Sequence, residues 1–153
     1  MQTGDLAPDF ALTDDRGTAR TLSGFLADGP VVLFFYPAAM TTGCTAESCH
    51  FRDLAAEFAA AGAQRVGISP DDVAKQRRFS DAHGFDYPLL SDTDGAVAKQ
   101  FGVWRKLIPL HTKRTTFVID TDRRVLEVIK SELNFTAHAD RALKTLRDHN
   151  NAV

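Results

Sequence analysis

The chain has 153 residues, which is enough for one domain with a complete hydrophobic core, and we expect a single domain over residues 1–153. Its apolar fraction of 44%, charged fraction of 25% and net charge of -2 are ordinary for a soluble protein. They give no reason to expect nucleic acid or an acidic membrane surface as a partner. Without a signal-peptide pattern or a bilayer-length apolar run, we expect a cytoplasmic protein whose two cysteines are reduced at rest.

Short strands are predicted near the N-terminus, over residues 10–12 and 19–22, with the turn sequence Asp14-Asp15-Arg16-Gly17 between them. The next predicted strand, residues 31–36, is a run of six apolar or aromatic residues. Such a run is typical of a strand that is buried on both faces. Pro37 ends this strand, because proline cannot donate a hydrogen bond to a neighbouring strand.

Cys44 follows a tight turn after this strand and precedes a segment whose apolar residues recur at helical spacing. That spacing predicts a helix to about residue 61, with Gly62 as its stop. The first turn of a helix presents unpaired N–H groups and the positive end of the helix dipole, and both favour a thiolate. The junction therefore favours a reactive Cys44, and a small buried core residue is the alternative interpretation.

The middle of the chain alternates strands with helices. A strand is predicted over residues 64–68, followed by a helix with Ser69 as its N-cap and Pro70 at its first position, ending near residue 83. A short extended segment over residues 87–90 then leads to a helix that begins at Asp92 or Asp94 and stops at Gly102.

The last third of the chain is predicted as a loop, a hairpin and a helix. Residues 104–113 show no periodicity and contain Pro109, and residues 115–119 and 125–129 are the paired strands. Asn134 or Thr136 caps the final helix, which turns Ala139, Leu143 and Leu146 inward. A β-α-β unit followed by a hairpin and a helix predicts a thioredoxin-like α/β fold, with a central mixed β-sheet flanked by helices.

The residues around the cysteine also match a known motif. Pro37, Thr41 and Cys44 form P-x-x-x-T-x-x-C, and Cys49 follows five residues later. This pattern resembles the peroxiredoxins, and most closely the peroxiredoxin Q type, also called bacterioferritin comigratory protein. Residues 4–10, 85–92 and 114–120 resemble the family's opening segment and later strands. One departure is visible: many members have a proline where this chain has Thr42.

The resemblance implies a thiol peroxidase with the thioredoxin-like fold and no cofactor or metal. Cys44 would attack a hydroperoxide and become a sulfenic acid. Thr41 would present its hydroxyl to the peroxide, although capping of the following helix is an alternative or additional role. Pro37 would fix the loop and shield the sulfur from water. Hydrogen peroxide and organic hydroperoxides are the implied substrates.

The family also places an arginine at the start of a late strand, and Arg114 occupies that position. A planar guanidinium suits the role, because it stays charged and holds two donors on a reacting oxygen. Lys113 is adjacent, but neighbouring strand residues point to opposite faces, so we expect Arg114 to face the site. Glu47 lies one helical turn after Cys44. It could orient the arginine, or it could be an ordinary acidic residue near a helix N-terminus.

Cys49 is the expected resolving cysteine, which would form a disulfide with Cys44 for reduction by thioredoxin or a similar dithiol. On a regular helix, a five-residue spacing separates the two Cα atoms by about 8–9 Å. Disulfides rarely exceed about 7 Å, so the helix must unwind before the bridge forms. The alternative is a core cysteine at position 49 and resolution by an external thiol. A monomer or a weak homodimer is expected.

Three other functions compete with this one. Cys44, Cys49 and His50 could bind a metal, but their spacing is not that of common zinc sites. A disulfide reductase would normally carry C-x-x-C, which the chain lacks. A non-catalytic interaction domain could keep the fold, although the complete set of motif residues argues against it.

Overall fold

The computed structural model of the chain describes residues 1–106 and 111–152. The strands are β1 (Ala11–Asp14), β2 (Ala19–Thr21), β3 (Val31–Phe35), β4 (Gln64–Ser69), β5 (Leu89–Ser91), β6 (Thr115–Ile119) and β7 (Val125–Lys130). The helices are α1 (Leu22–Leu26), α2 (Thr42–Asp53), α3 (Ala55–Ala60), α4 (Val73–His83), α5 (Ala96–Gln100) and α6 (Ala137–Asn151). None of the helices in these ranges has both the length and the hydropathy that crossing a membrane requires.

The strands within these ranges form one mixed sheet in the order β2-β1-β5-β4-β3-β6-β7. The central strand β3 runs parallel to β4 and antiparallel to β6, so the predicted thioredoxin-like α/β fold is confirmed. Antiparallel pairing sets Phe35 opposite Thr115. The residues that follow β3 therefore lie at the same edge of the sheet as those that precede β6, and this register brings the loop at Pro37 close to Arg114.

Helices cover both faces of the sheet, as the continuous apolar sequence of β3 requires. Val31, Leu33 and Phe35 pack into one hydrophobic core, with side chains of α1 and α5. Val32 and Phe34 point the other way and pack with side chains of α2, α3, α4 and α6. Each side chain of β3 is at most 1% exposed, which gives the site that follows this strand a rigid base.

The structure corrects several predicted helix boundaries. The long helix predicted after Cys44 is two helices, because Leu54 leaves helical geometry with φ -97° and ψ 21°. Ser69 and Pro70 do not begin α4: Ser69 is the last residue of β4, and Asp72 is the N-cap, accepting a hydrogen bond from the Lys75 amide at 2.8 Å. The short helix α1 was not predicted at all. The predicted end of α4 at His83, followed by a left-handed Gly84, is confirmed.

Two further helix starts differ in detail from the prediction. Helix α5 begins at Ala96, later than predicted, although the Asp92 carboxylate still accepts hydrogen bonds from the amides of Val97 and Ala98. Thr136 is the N-cap position of α6, as predicted, but its side chain makes no capping bond; the predicted alternative, Asn134, accepts a hydrogen bond from the Ala137 amide at 3.3 Å. The hairpin strands lie where they were predicted, with β7 one residue longer. The predicted loop over residues 104–113 falls partly outside the described residues.

Candidate active site

The site begins in the loop that joins β3 to α2. Pro37 directly follows Tyr36 and is buried, and Cys44 is the third residue of α2 and is 0% exposed. The predicted strand–turn–helix junction at Cys44 is therefore confirmed. Thr41 is the N-cap position of α2, but its hydroxyl donates to the Ala38 carbonyl at 2.8 Å and does not cap the helix. The alternative that Thr41 serves as a side-chain cap is wrong.

Arg114 reaches the cysteine from the segment just before β6. Its Nη2 lies 3.2 Å from Cys44 Sγ, in position to donate a hydrogen bond to the sulfur, and the residue is only 5% exposed. Lys113 is exposed, so the prediction that Arg114 faces the site is confirmed as geometry. A fixed cation beside the sulfur stabilises a thiolate over a thiol. What Arg114 contributes to a reaction is still a prediction.

Glu47 holds the other side of the arginine. Arg114 Nη1 donates to Glu47 Oε1 at 3.1 Å, and the glutamate is 0% exposed. The structure thus supports the orienting role over that of an ordinary first-turn acid. Burial raises the pKa of Glu47 to about 8, while the charge of Arg114 acts to lower it. Burial acts to lower the pKa of Arg114, but Glu47 and Cys44 outweigh it, and the guanidinium stays charged.

A buried histidine that the sequence did not single out completes this chain of contacts. His138, on α6, is 0% exposed and places Nε2 3.5 Å from Glu47 Oε2. The same Nε2 lies 2.8 Å from the Ser131 carbonyl, to which it must donate, and Nδ1 lies 2.7 Å from Thr116 Oγ1. Burial lowers the pKa of His138, which favours the neutral ring with its proton on Nε2. The histidine therefore borders the Glu47–Arg114 contact without adding a second cation.

An aromatic ring covers the guanidinium. The Phe135 ring lies 4.9 Å from Arg114 Cζ, within the range of a cation–π contact. Gly43 makes room for this ring, because a Cβ at that position would lie 2.7 Å from Phe135 Cε1 and 3.3 Å from Arg114 Nη2. Nothing in the sequence marked Phe135 or His138, since both come to the site from the region of the α6 N-terminus.

Cys49 lies on the same helix as Cys44, and both cysteines are free. The helix is unbroken between them, so the spacing of about 8–9 Å expected between their Cα atoms applies to this state. Cys49 is half-buried against the core on the α2 side of the sheet. Burial raises the pKa of its thiol above the ordinary value. The structure therefore does not bring the two predicted redox partners together.

Within residues 1–106 and 111–152, no cluster of three or more His, Cys, Asp or Glu side chains has the geometry of a metal site. The proposed set of Cys44, Cys49 and His50 is not such a cluster. His50 is instead paired with Asp140, with Nε2 and Oδ1 2.7 Å apart. This contact ties α2 to α6.

A mixed thioredoxin-like sheet, with a buried cysteine at a helix N-terminus and an arginine on its sulfur, defines a class of proteins with cysteine-based redox chemistry. The family model for the AhpC/TSA family matches residues 3–128. Peroxiredoxin Bcp of Escherichia coli is 36% identical over 156 residues, covering 97% of each chain. This chain belongs to the AhpC/TSA family, and its homologues are the Bcp and Q types of peroxiredoxin.

Solved structures agree with this assignment. Peroxidoxin BcpB from Mycobacterium tuberculosis is 64% identical, covers 97% of both chains and superposes with a TM-score of 0.93. The bacterioferritin comigratory protein of Xanthomonas campestris is 34% identical over 92% of this chain and 91% of its own, with a TM-score of 0.84. The study of that protein describes its alkyl peroxide reduction activity.

Proposed function

We propose that this chain is a thiol peroxidase that reduces hydrogen peroxide and organic hydroperoxides at Cys44. The observation that carries the proposal is the 3.2 Å contact between Arg114 Nη2 and the buried Cys44 sulfur at the start of α2. A thiolate at this position would be stabilised by the guanidinium charge and held in one orientation by the hydrogen bond from Arg114. Its attack on a peroxide spreads negative charge over two oxygen atoms, and a fixed guanidinium can stabilise that charge.

The first step is oxidation of the cysteine. The Cys44 thiolate attacks one oxygen of ROOH, the S–O bond forms and the O–O bond breaks. The other oxygen leaves as alkoxide or hydroxide and takes up a proton, giving Cys44 sulfenic acid and ROH or water. Thr41 and Arg114 are the groups proposed to orient the peroxide, and Pro37 shields the sulfur. The alkyl peroxide activity of the Xanthomonas relative supports the inclusion of organic substrates.

The second step is resolution by Cys49. Its thiol attacks the sulfenic sulfur, a disulfide forms and water leaves. The separation of about 8–9 Å on the intact helix is too long for this bond, so the start of α2 must unwind. Unwinding also removes Cys49 from the burial that raises its pKa, which makes its thiol a better nucleophile.

The unwinding has a natural end point. Phe51 is 0% exposed, and its ring stacks on Phe34 at a centroid distance of 4.2 Å. The Arg65 guanidinium also donates to the Phe51 carbonyl at 2.9 Å. Residues before Phe51 can therefore leave the helix while the core contact of this phenylalanine persists. We expect faster amide exchange in oxidised protein over about residues 44–50, with little change beyond.

A thioredoxin-type dithiol is the proposed reductant. It attacks the Cys44–Cys49 disulfide, is itself oxidised to a disulfide, and returns both cysteines to thiols. A peroxidase that is resolved by an external thiol, with no role for Cys49, is the competing function and is tested in the same experiment.

The test is peroxide consumption by the purified chain with thioredoxin and its reductase. Wild type should turn over. Cys44→Ser should be inactive with its fold intact, and Cys49→Ser should consume one peroxide per chain and then accumulate sulfinic acid. Oxidised wild type should yield a Cys44–Cys49 peptide in mass spectrometry. Full turnover by Cys49→Ser with a monothiol such as glutathione, equal to that of wild type, would instead establish external resolution. Turnover by Cys44→Ser would refute the peroxidase mechanism.

A further inference from the structure

We propose that Asp71 is a positioning residue for peroxide reduction, which fixes the loop before Cys44 and through it the Thr41 hydroxyl. The inference rests on the proposed peroxidase function. Asp71 lies outside the P-x-x-x-T-x-x-C motif, in the connection between β4 and α4. Its hydrogen bonds and ion pair within residues 1–106 and 111–152 involve Ala39, Ser69 and Lys75, and neither Cys44 nor Arg114, so its effect must pass through the loop.

The contact that carries the inference is made by one carboxylate oxygen. Asp71 Oδ2 accepts a hydrogen bond from the Ala39 backbone N–H at 2.6 Å and another from the Ser69 hydroxyl at 2.6 Å. The other oxygen lies 3.2 Å from Lys75 Nζ. The side chain of Asp71 is 9% exposed, so water competes little for these bonds. Hydrogen bonds to a charged acceptor are among the stronger ones in proteins.

A buried hydrogen-bond network fixes the position of the Asp71 carboxylate. The Ser69 hydroxyl accepts a hydrogen bond from Gln76 Nε2 at 2.9 Å, and Gln76 Oε1 accepts one from the Tyr36 hydroxyl at 2.6 Å. Tyr36 and Gln76 are both 0% exposed. Tyr36 directly precedes Pro37, so the network connects the end of the central strand with Asp71. The carboxylate is thus fixed relative to the sheet and can serve as an anchor for the loop.

One peptide group transmits the constraint to Thr41. The N–H of Ala39 and the carbonyl of Ala38 belong to the same planar unit. Its N–H is held by Asp71, and its carbonyl accepts the Thr41 hydroxyl at 2.8 Å. Rotation of this plane would carry the acceptor of Thr41 with it. Asp71 therefore determines where the hydroxyl points, although the two side chains do not touch.

The loop needs such an anchor because its conformation is strained. Met40 has φ 67°, in the left-handed region that is unfavourable for a residue other than glycine. Such conformations persist where surrounding contacts hold them. Without Asp71, we expect the peptide to rotate and the Thr41 hydroxyl to lose its orientation. The contact between Arg114 and Cys44 comes from other elements and should remain.

The experiment compares Asp71→Ala with Asp72→Ala. Asp72 is the adjacent aspartate and caps α4, so its removal perturbs the same connection without touching the Ala39 amide. The rate of Cys44 oxidation by hydrogen peroxide is measured under single-turnover conditions, and its alkylation by iodoacetamide at the same pH reports the thiolate. Asp71→Ala should slow the peroxide reaction by about ten- to a hundredfold, the loss expected for one or two oriented hydrogen bonds. Alkylation should be unchanged, Asp72→Ala should be near wild type, and Asp71→Asn should recover most of the rate.

A double-mutant cycle with Thr41→Val then tests the route. If Asp71 acts through the hydroxyl, Asp71→Ala should change the peroxide rate less than about twofold in the Thr41→Val background. Equal rates for Asp71→Ala and Asp72→Ala, a parallel loss of peroxide and iodoacetamide reactivity, or additive effects in the cycle would overturn the inference. If Asp71→Ala does not fold, the experiment uses Asp71→Ser instead, because the serine side chain is too short to accept the hydrogen bond from the Ala39 amide. Failure of wild type itself to react with peroxide would identify failure of the proposed function instead.

Discussion

Arg114→Ala removes the guanidinium that lies beside the sulfur of Cys44. The guanidinium contacts Cys44 Sγ at 3.2 Å and Glu47 Oε1 at 3.1 Å, in a site where the residue is 5% exposed. At 3.2 Å, the distance from Arg114 Nη2 to Cys44 Sγ, opposite unit charges attract each other by about 5 kcal/mol when the effective dielectric constant is near 20. In the proposed mechanism, the share of this interaction that already exists before peroxide binds does not lower the barrier to attack.

The part that lowers the barrier is the stabilisation of charge as it moves onto the peroxide oxygens. Loss of one oriented donor of this kind typically costs about 2.7–4 kcal/mol, which is a factor of about a hundred to a thousand in rate. We therefore expect Arg114→Ala to slow Cys44 oxidation by about that factor. Arg114→Lys keeps the charge but cannot contact the sulfur and Glu47 with two separate nitrogens. Its rate of Cys44 oxidation should therefore lie between those of wild type and Arg114→Ala.

Rapid mixing of reduced protein with hydrogen peroxide, followed to a single turnover, measures this step without interference from the reductant. Lys113→Ala is the matched control, because Lys113 is the neighbouring cation and is exposed. It should leave the rate within about twofold of wild type, as is usual for exposed charges. A loss of less than threefold in Arg114→Ala, or equal losses in the two variants, would refute the argument from geometry.

Two further predictions concern the surroundings of the guanidinium. Because burial holds the pKa of Glu47 at about 8 in the folded state, against 4.5 ordinarily, the fold retains a proton that the unfolded chain has lost between these pH values. Between pH 4.5 and about 8, the free energy of unfolding of wild type should therefore fall relative to that of Glu47→Gln, by at most about 1.4 kcal/mol per pH unit. Urea unfolding at pH 5, 6.5 and 8 measures this difference. If the free energies of unfolding of the two proteins changed in parallel with pH, the prediction would be contradicted. Gly43→Ala should displace the Phe135 ring and slow peroxide attack, since a Cβ there lies 2.7 Å from the ring. In a Phe135→Ala background the same change should cost clearly less, and equal costs in the two backgrounds would exclude the steric explanation.

The sequence predicted the reactive half of this site because its signals are local. The apolar run of β3, the proline that follows it and the helical spacing after Cys44 lie within one short segment. The position of Arg114 followed from a family motif and from the alternation of side chains in a strand. Each of these inferences needed only neighbours in the chain, together with a resemblance.

The parts that were missed depend on tertiary contacts or on competing local signals. Ser69-Pro70 has the sequence of a helix start, yet the Ser69 hydroxyl binds the Asp71 carboxylate, and Asp72 caps the helix instead. His138 lies on α6 and Phe135 just before it, and both reach the site from sequence separations that no local pattern reveals. The break at Leu54 also lies inside a segment with continuous helical spacing, so periodicity alone predicted one helix there.

The placement of Glu47 between the two cysteines has a consequence for the whole proposed cycle. The glutamate is fixed to Arg114 only while α2 is folded, and it precedes Cys49 by two residues. The unwinding that brings Cys49 to Cys44 must therefore break the Glu47–Arg114 pair. The contact that orients the arginine for attack on peroxide thus also opposes resolution, and a long-lived sulfenic acid is exposed to a second peroxide. Glu47→Ala removes this contact, so it should slow the first step while lowering the fraction of Cys44 that becomes sulfinic acid per turnover. A variant that reacted more slowly but was overoxidised at least as often as wild type would show that α2 unwinds independently of this pair.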